Sequence, residues 1–567
     1  MLSTGNPEHL FIIGRATNNN FDYYRKVPQV AQSTNFVPTF GHPGADIPFT
    51  SGLNGTSLDE AIPTGRINAK APDDVEAYLN KVVETEKIVY NELWHKNIIH
   101  LTGGQNESEL VRFRRYGEEF EKIAENPFLG ANVSSQSKKT NEAVEFINIT
   151  KEINDGVGMI TFFGHSGASV TDIEVGIVSD PAFGYDNKGK YPVYLVNGCN
   201  AGDFFGVNES FGVDWILTPD LGALGFMAHS GLAFSNNLRN YSNLFYTVAF
   251  SDEEFFAKSL GVIKQEVARR YAERYGTGAF SASQVQQFVL QGDPAIKVFS
   301  ANKPDFDIAE EGVIANTYDG SPLLSEVDSF YVDIDIKNYG KYDVNPLFIS
   351  VRRTLPNGTE VLYGPELLDP ILRRDTIRFK IDNRLEGVAG NNRIQISLDK
   401  EGLIEELDET NNIASFDLFM ASGSTFNILP QNYSIQNSSL IDFFFQSTNL
   451  LSGRREFLLE VDTVLNFNSP FLIQQTITDN VIAKVSIDLE DEVSLLDGTE
   501  IFWRTKFANP LPSEIDDWVV SSFILQSTGE GWSQSDTEQL NQSTRTGLTL
   551  DTSTGLWEFL SNNISLE

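Results

Sequence analysis

At 567 residues the chain is too long for one hydrophobic core, so about two to four domains are expected. Acidic residues outnumber basic ones 78 to 42, a net charge of -36 that repels phosphate backbones and anionic lipid surfaces, which argues against nucleic acid as a partner. No stretch approaches the roughly 20 apolar residues of a membrane span, and a single cysteine excludes an intrachain disulfide.

The opening residues Met1 to Glu8 hold no basic segment followed by an apolar one, so no secretory signal is legible. A strand is predicted almost at once, at Leu10 to Ile13, which leaves no room for the usual first elements of a domain. A chain that begins inside a longer precursor is therefore expected. Further strands are predicted at Ile98 to Leu101, Met159 to Phe163, Val193 to Val196 and Ala223 to Ala228. Helices fit between them. Pro72-Asp-Asp-Val-Glu opens one with a proline and early acids, with apolar positions at Val75, Leu79, Val82 and Val83. Leu260 to Tyr271 is another, with Leu260, Ile263, Val267 and Tyr271 on one side. Strands alternating with helices over residues 1–302 predict a parallel sheet covered on both faces.

The pattern then changes. Residues 303–420 show alternating runs such as Phe330 to Gly340 and Leu347 to Arg353, separated by turns such as Pro356-Asn-Gly358, and predict an antiparallel sandwich. Residues 421–567 are again β-rich, at Phe457 to Asp462, Val481 to Ile487 and Glu500 to Arg504, and predict a second Ig-like sandwich. Gly529-Glu-Gly-Trp-Ser533 reads as a turn between two of its strands. The expected architecture is thus multidomain: an α/β parallel-sheet domain followed by two all-β sandwiches. Neither β region contains a histidine or a cysteine, so their chemistry would be binding.

The chemistry-bearing residues lie in the first region. The apolar run Tyr191-Pro-Val-Tyr-Leu-Val-Asn-Gly-Cys199 ends at the only cysteine. A second run, Gly158-Met-Ile-Thr-Phe-Phe-Gly-His-Ser-Gly167, ends as abruptly at His165. Each reads as a buried parallel strand that delivers a polar side chain to its carboxyl end, the edge at which ligands bind in open α/β sheets. A thiol and an imidazole on two such ends would face each other across one crevice, as nucleophilic cysteine chemistry requires. The small-residue turn Asn200-Ala-Gly-Asp203 would leave the sulfur accessible. His229, at the end of the run Ala223 to Ala228, is a rival base.

These two blocks resemble the gingipain-like cysteine peptidases, which share the caspase-like fold of their clan. That clan carries a histidine followed by glycine at the end of one strand and a cysteine after a small residue at the end of the next. Phe163-Gly-His-Ser-Gly167 and Asn197-Gly-Cys199 match in order and approximate spacing. Pro38 to Asp46, Ile62-Pro-Thr-Gly-Arg-Ile67, Gly222 to Phe226 and Gly292-Asp-Pro-Ala295 are similar to the bacterial members as well. Ser166 stands where the family usually has glycine. The middle region resembles the CARDB modules of bacterial surface proteins, through Val332 to Gly340 and Glu405-Glu-Leu-Asp-Glu-Thr-Asn-Asn412.

The resemblance implies a cysteine endopeptidase. Cys199 would attack a peptide carbonyl, His165 would be its base and then its acid, and the backbone N–H of Cys199 with that of Ser166 or Gly167 would hold the oxyanion. Water would complete hydrolysis. An incoming amine would give transpeptidation, and some relatives act as sortases of a bacterial secretion system. Accessory candidates are Glu60, one place from the position before the Gly65-Arg66 block where the family can carry an acid, and Asp46, which would line the cleft or bind a metal. Asp203 and Asp214 would attract a basic side chain. No cofactor is required for the catalysis, whereas the acids and asparagines of Glu405 to Asn412 allow a structural Ca2+. Expected partners are protein or peptide substrates and, by resemblance, cell-surface or secretion-system components. The expected location is the bacterial surface or exterior. The alternative is a non-catalytic surface or adhesion protein on a degenerate peptidase scaffold.

Overall fold

The structure is a computed structural model that describes residues 7–17, 35–125, 128–206, 210–318, 320, 324–451, 453–479, 482–490, 497–533, 547–551 and 556–559. The opening residues Met1 to Asn6 and the first residue of the expected strand at Val481 lie outside the described residues.

Residues up to about 300 build an eight-stranded sheet. In chain order its strands are β1 (Leu10–Ile13), β2 (Thr64–Ile67), β3 (Asn97–Thr102), β4 (Asn132–Ser137), β5 (Met159–Phe163), β6 (Val193–Asn197), β7 (Gly225–His229) and β8 (Phe288–Gln291). Their order across the sheet is β1-β2-β8-β7-β6-β5-β3-β4. All neighbours are parallel except β7 and β8, so the sheet consists of two parallel blocks joined by one antiparallel seam. A uniformly parallel sheet was the expectation, and the seam departs from it. The short segment α7 (Ala279–Gln286) leads straight into β8.

The three central strands β5, β6 and β7 are buried at every position, as their unbroken apolar runs require. Three strands, β2, β4 and β8, were not among those predicted, and two of them escaped the sequence pattern for physical reasons. The segment β4 is an edge strand of polar residues, Asn-Val-Ser-Ser-Gln-Ser, with no fully buried position. The segment β2 reads Thr-Gly-Arg-Ile, and its arginine is completely buried. All five guanidinium N–H groups of Arg66 are satisfied: Nε and one Nη bond Asp46, and the others reach the carbonyls of Gly14, Val37 and Pro38. The loop ahead of β2 is thereby clamped to the sheet.

Helices cover both faces. α2 (Glu107–Ala124), α5 (Ser235–Phe250) and α6 (Leu260–Tyr275) pack together on one, and α1 (Pro72–Glu86) packs against α4 (Phe211–Leu217) on the other. A short α3 (Thr150–Asp155) precedes β5. The apolar positions expected in α6 are all buried. α1 differs: it buries Ala77, Tyr78, Lys81 and Val82, while Leu79 and Val83 are exposed. The reason is polar. Tyr78 donates its hydroxyl to the Leu224 carbonyl and Lys81 donates to the carbonyls of Trp215, Leu221 and Ala223, so each buries its long stem and still satisfies its tip. Burial pushes the Lys81 amine down to about 7.

Two β regions follow, each with its own core. In the first, two four-stranded sheets enclose Phe330, Ile334, Ile349, Ile394 and Ile396. Residues Ser329–Asn338 alternate strictly between buried and half-buried positions. The second contains a three-stranded and a five-stranded sheet around Phe443, Phe457 and Trp503. Trp532 of the predicted turn bridges to Ser434. The first β region touches the α/β domain at the start of β3, where Lys96 donates to the Leu372 carbonyl at 2.7 Å and Arg373 donates to Asn97 at 3.1 Å. Contact at the amino ends of the central strands leaves their carboxyl ends open.

Asp46→Ala is expected to strand the buried Arg66 charge and to destabilise the α/β domain by about 3–5 kcal/mol, read as a lower denaturant midpoint of its unfolding transition. An unchanged midpoint would contradict the clamp.

Candidate active site

The open edge of the sheet carries the chain's thiol. β5 and β6 pair in parallel with Phe163 opposite Asn197, and the Gly164 N–H extends the ladder to the Asn197 carbonyl. Carried two residues further, this register sets His165 beside Cys199 on strands about 4.8 Å apart. Both residues lie just past their strand ends and are partly exposed. Ser166 ties the two turns together, donating its hydroxyl to the Cys199 carbonyl at 2.8 Å. The approach is so close that a Cβ on Gly198 would lie 2.0 Å from that hydroxyl oxygen. The serine that departs from the family pattern therefore fills the space between the turns.

On its other side the Cys199 sulfur meets the segment after β7. Its S–H faces the Ala233 carbonyl and the Ala233 N–H faces the sulfur, each at 3.5 Å. Asn200, in the left-handed region at φ 57°, turns the chain away and donates its N–H to the Gly231 carbonyl.

The imidazole has a carboxylate partner that sequence reading did not find. His165 Nε2 lies 3.0 Å from the Glu109 carboxylate. Glu109 occupies the first turn of α2, where Asn106 caps the Glu109 N–H and the Glu109 carboxylate accepts the Gln105 N–H. Burial by itself raises the Glu109 pKa. The Gln105 N–H, the contacts with His165 and the Arg112 charge outweigh it and hold the group below the usual carboxylate range. The N-terminal end of the helix adds in the same direction. The signal was present as Asn106-Glu-Ser-Glu109, a cap with an acid three residues on.

Asp172 fixes the backbone from beneath. One of its carboxylate oxygens accepts the N–H groups of Gly104 and His165, joining the ends of β3 and β5. A Cβ on Gly103 would meet the carboxylate at 2.0 Å and one on Gly164 at 2.4 Å, so both glycines are there to admit it. The other oxygen is buried without a hydrogen bond. Burial is the largest influence on this group and pushes its pKa up.

Several expected residues are engaged elsewhere. The Gly167 N–H donates to the Val170 carbonyl and is unavailable to an oxyanion. The N–H groups of Cys199 and Ser166 have no hydrogen-bond partner among the described residues. Glu60 is not the acid beside His165: it is fully buried against Lys264 and accepts the Thr64 N–H. Asp46 neither lines an open cleft nor keeps oxygens for a metal, because Arg66 and Thr39 occupy it. His229 is a poor base, with Nδ1 between the N–H and carbonyl of Gly231 and Nε2 on the Ser283 carbonyl. Burial keeps it below its ordinary pKa. Asp214 accepts the N–H groups of Val178 and Ser179.

In the β region, Glu406 accepts the Phe306 N–H and the Asn412 side-chain amide, and burial pushes it up to about 7. No group of three or more Asp, Glu, His or Cys side chains placed to hold a metal occurs among the described residues. Nor, among them, is any helix long and apolar enough to cross a membrane.

The model of peptidase family C25 matches residues 2–299, just over half of the chain. The chain belongs to peptidase family C25. No curated protein sequence matches it. Among solved structures it is similar to the Arg-specific cysteine proteinase gingipain R (RgpB), at 11% identity and a TM-score of 0.42 over 73% of this chain and 83% of that one. A complex of Porphyromonas gingivalis RgpB pro- and mature domains matches at 11% identity and a TM-score of 0.41, over 73% of this chain and 86% of that one. The CARDB domain of a Pyrococcus furiosus protein, solved with di-metal ions, matches 21% of this chain and 90% of its own at 21% identity and a TM-score of 0.16.

Removing the Asp172 charge tests its role under the C25 site. Because its pKa is raised in the folded protein, ionised Asp172 increasingly opposes folding as pH climbs from the unfolded value through the raised one. The stability of Asp172→Asn relative to the wild type is thus expected to improve from acid to neutral pH, followed by chemical denaturation at each pH. A difference that does not change with pH would exclude this account.

Proposed function

We propose that this C25 member is a cysteine endopeptidase with a Cys199–His165 dyad oriented by Glu109. The observation that carries the reading is the hydrogen bond between His165 Nε2 and the Glu109 carboxylate, made beside the chain's only thiol. Glu109 is held below its ordinary pKa, so the group that meets the imidazole is a carboxylate.

His165 takes the Cys199 proton, and the thiolate attacks the carbonyl carbon of a peptide bond. The N–H groups of Cys199 and Ser166 receive the developing oxyanion. Collapse breaks the C–N bond, the leaving amine takes the proton from His165, and a thioester remains. Water, activated by the same imidazole, releases the acid product. An amine in place of water would release a new amide from the same thioester, so hydrolysis and transpeptidation share every residue named. Glu109 touches neither the substrate nor the sulfur and is a positioning residue. Protein substrates accord with the family, and location at the cell surface or outside it accords with the resemblance to gingipains.

A thiol-reactive peptide probe tests the reading on the full chain. Covalent labelling should disappear in Cys199→Ala and fall about 10²- to 10⁴-fold in His165→Ala. Glu109→Gln removes a charge-assisted hydrogen bond of about 1.5–3 kcal/mol, or roughly 10- to 100-fold in rate. Its cost should shrink in acid, where the wild-type Glu109 also becomes protonated. Folded protein whose Cys199 reacts no faster than a free thiol would sink the reading and favour a non-catalytic scaffold.

A further inference from the structure

The segment that meets the sulfur presents an apolar surface to solvent. Ala233, whose N–H and carbonyl both reach Cys199, sits between Leu232 and Phe234, which are 78% and 60% exposed. Phe234 is in an extended conformation as it leads into α5. Phe280, at the start of α7, is 66% exposed and packs edge-on against Phe234 with ring centroids 5.2 Å apart. Large apolar side chains so exposed and grouped mark binding surfaces.

The support beneath them is firm. The Ser230 N–H donates to the Gln287 carbonyl, and His229 Nε2 bonds the Ser283 carbonyl, so α7 and the residue after it are pinned to the end of β7, just ahead of Leu232 and Phe234. His229, discarded as a base, thus has a structural duty here. The Leu232 N–H and carbonyl have no hydrogen-bond partner among the described residues, which suits pairing with an extended peptide. Glu109 is engaged by His165, Asp172 by two backbone N–H groups and Asp214 by two others.

We propose that Leu232, Phe234 and Phe280 form the subsite for a large apolar side chain of the peptide, aromatic or leucine-like, next to the bond attacked by Cys199. This substrate class rests on the peptidase reading above. It separates this chain from the arginine preference printed for gingipain R.

Two measurements on the full chain test it. Binding of fluorescent peptides differing only in Phe, Leu, Arg, Lys or Glu at one position is measured on Cys199→Ala. Cleavage of quenched peptides with the same substitutions before the scissile bond is measured on the wild type. Phe and Leu peptides are expected to bind and to be cleaved about 10-fold or more better than the others. Phe280→Ala and Phe234→Ala should each remove most of that advantage while leaving the rate of Cys199 alkylation by iodoacetamide within about 2-fold, a control showing that the fold and the thiol persist. Tighter binding of Arg or Lys peptides, equal binding of all five, or an apolar preference that survives both substitutions would overturn the subsite. Apolar preference in binding with no cleavage of any peptide would leave the subsite standing and remove the peptidase reading.

Discussion

Everything at the site depends on the parallel pairing of β5 with β6. Parallel neighbours end at the same edge of a sheet, so a register with Phe163 opposite Asn197 brings an imidazole and a thiol from residues 34 positions apart (199 minus 165) to one place. The rest of the site elaborates this pairing. Ser166 holds the two turns at a fixed distance, Asp172 anchors the backbone of His165 to the end of β3, and Glu109 orients the ring. These are short polar contacts at strand ends, where a backbone that has left the ladder would otherwise lack partners.

Three buried cations of the α/β domain are handled in the same way, each surrounded by polar partners. Arg66 has all five donors filled, Lys264 is paired with Glu60, and Lys81 points at three carbonyls. Such clusters contribute less to net stability than to uniqueness, since a displaced loop would strand a charge in the core. The Arg66 clamp also reaches the turn after Cys199. The guanidinium lies 5.9 Å from the ring centre of Phe205, and Gly44 leaves room for that ring, where a Cβ would come within 2.6 Å. The turn that follows Cys199 is therefore packed against a loop that Arg66 immobilises.

The first β region meets the α/β domain through Lys96 and Arg373, at the start of β3 and so at the opposite end of the sheet from the thiol.

From sequence alone, the central strands, the helix at Leu260, the change to all-β patterning and the pairing of Cys199 with His165 as candidates were all legible. These rest on periodicity and on abrupt ends of apolar runs, which are local properties. Strand β2 was invisible because its arginine is apolar-compatible only once Asp46 arrives from another segment, and α1 was misread because Tyr78 and Lys81 bury their stems only where distant carbonyls receive their tips. Tertiary structure alone decided the acid. Glu60 and Asp46 were nearer to recognisable motifs, yet each meets a cation in the core, while Glu109 stands beside His165 because α2 starts where β3 ends, next to β5. In an acidic chain a carboxylate carries little information by its sequence position, since any of 78 could serve, and only the fold specifies which one faces an imidazole.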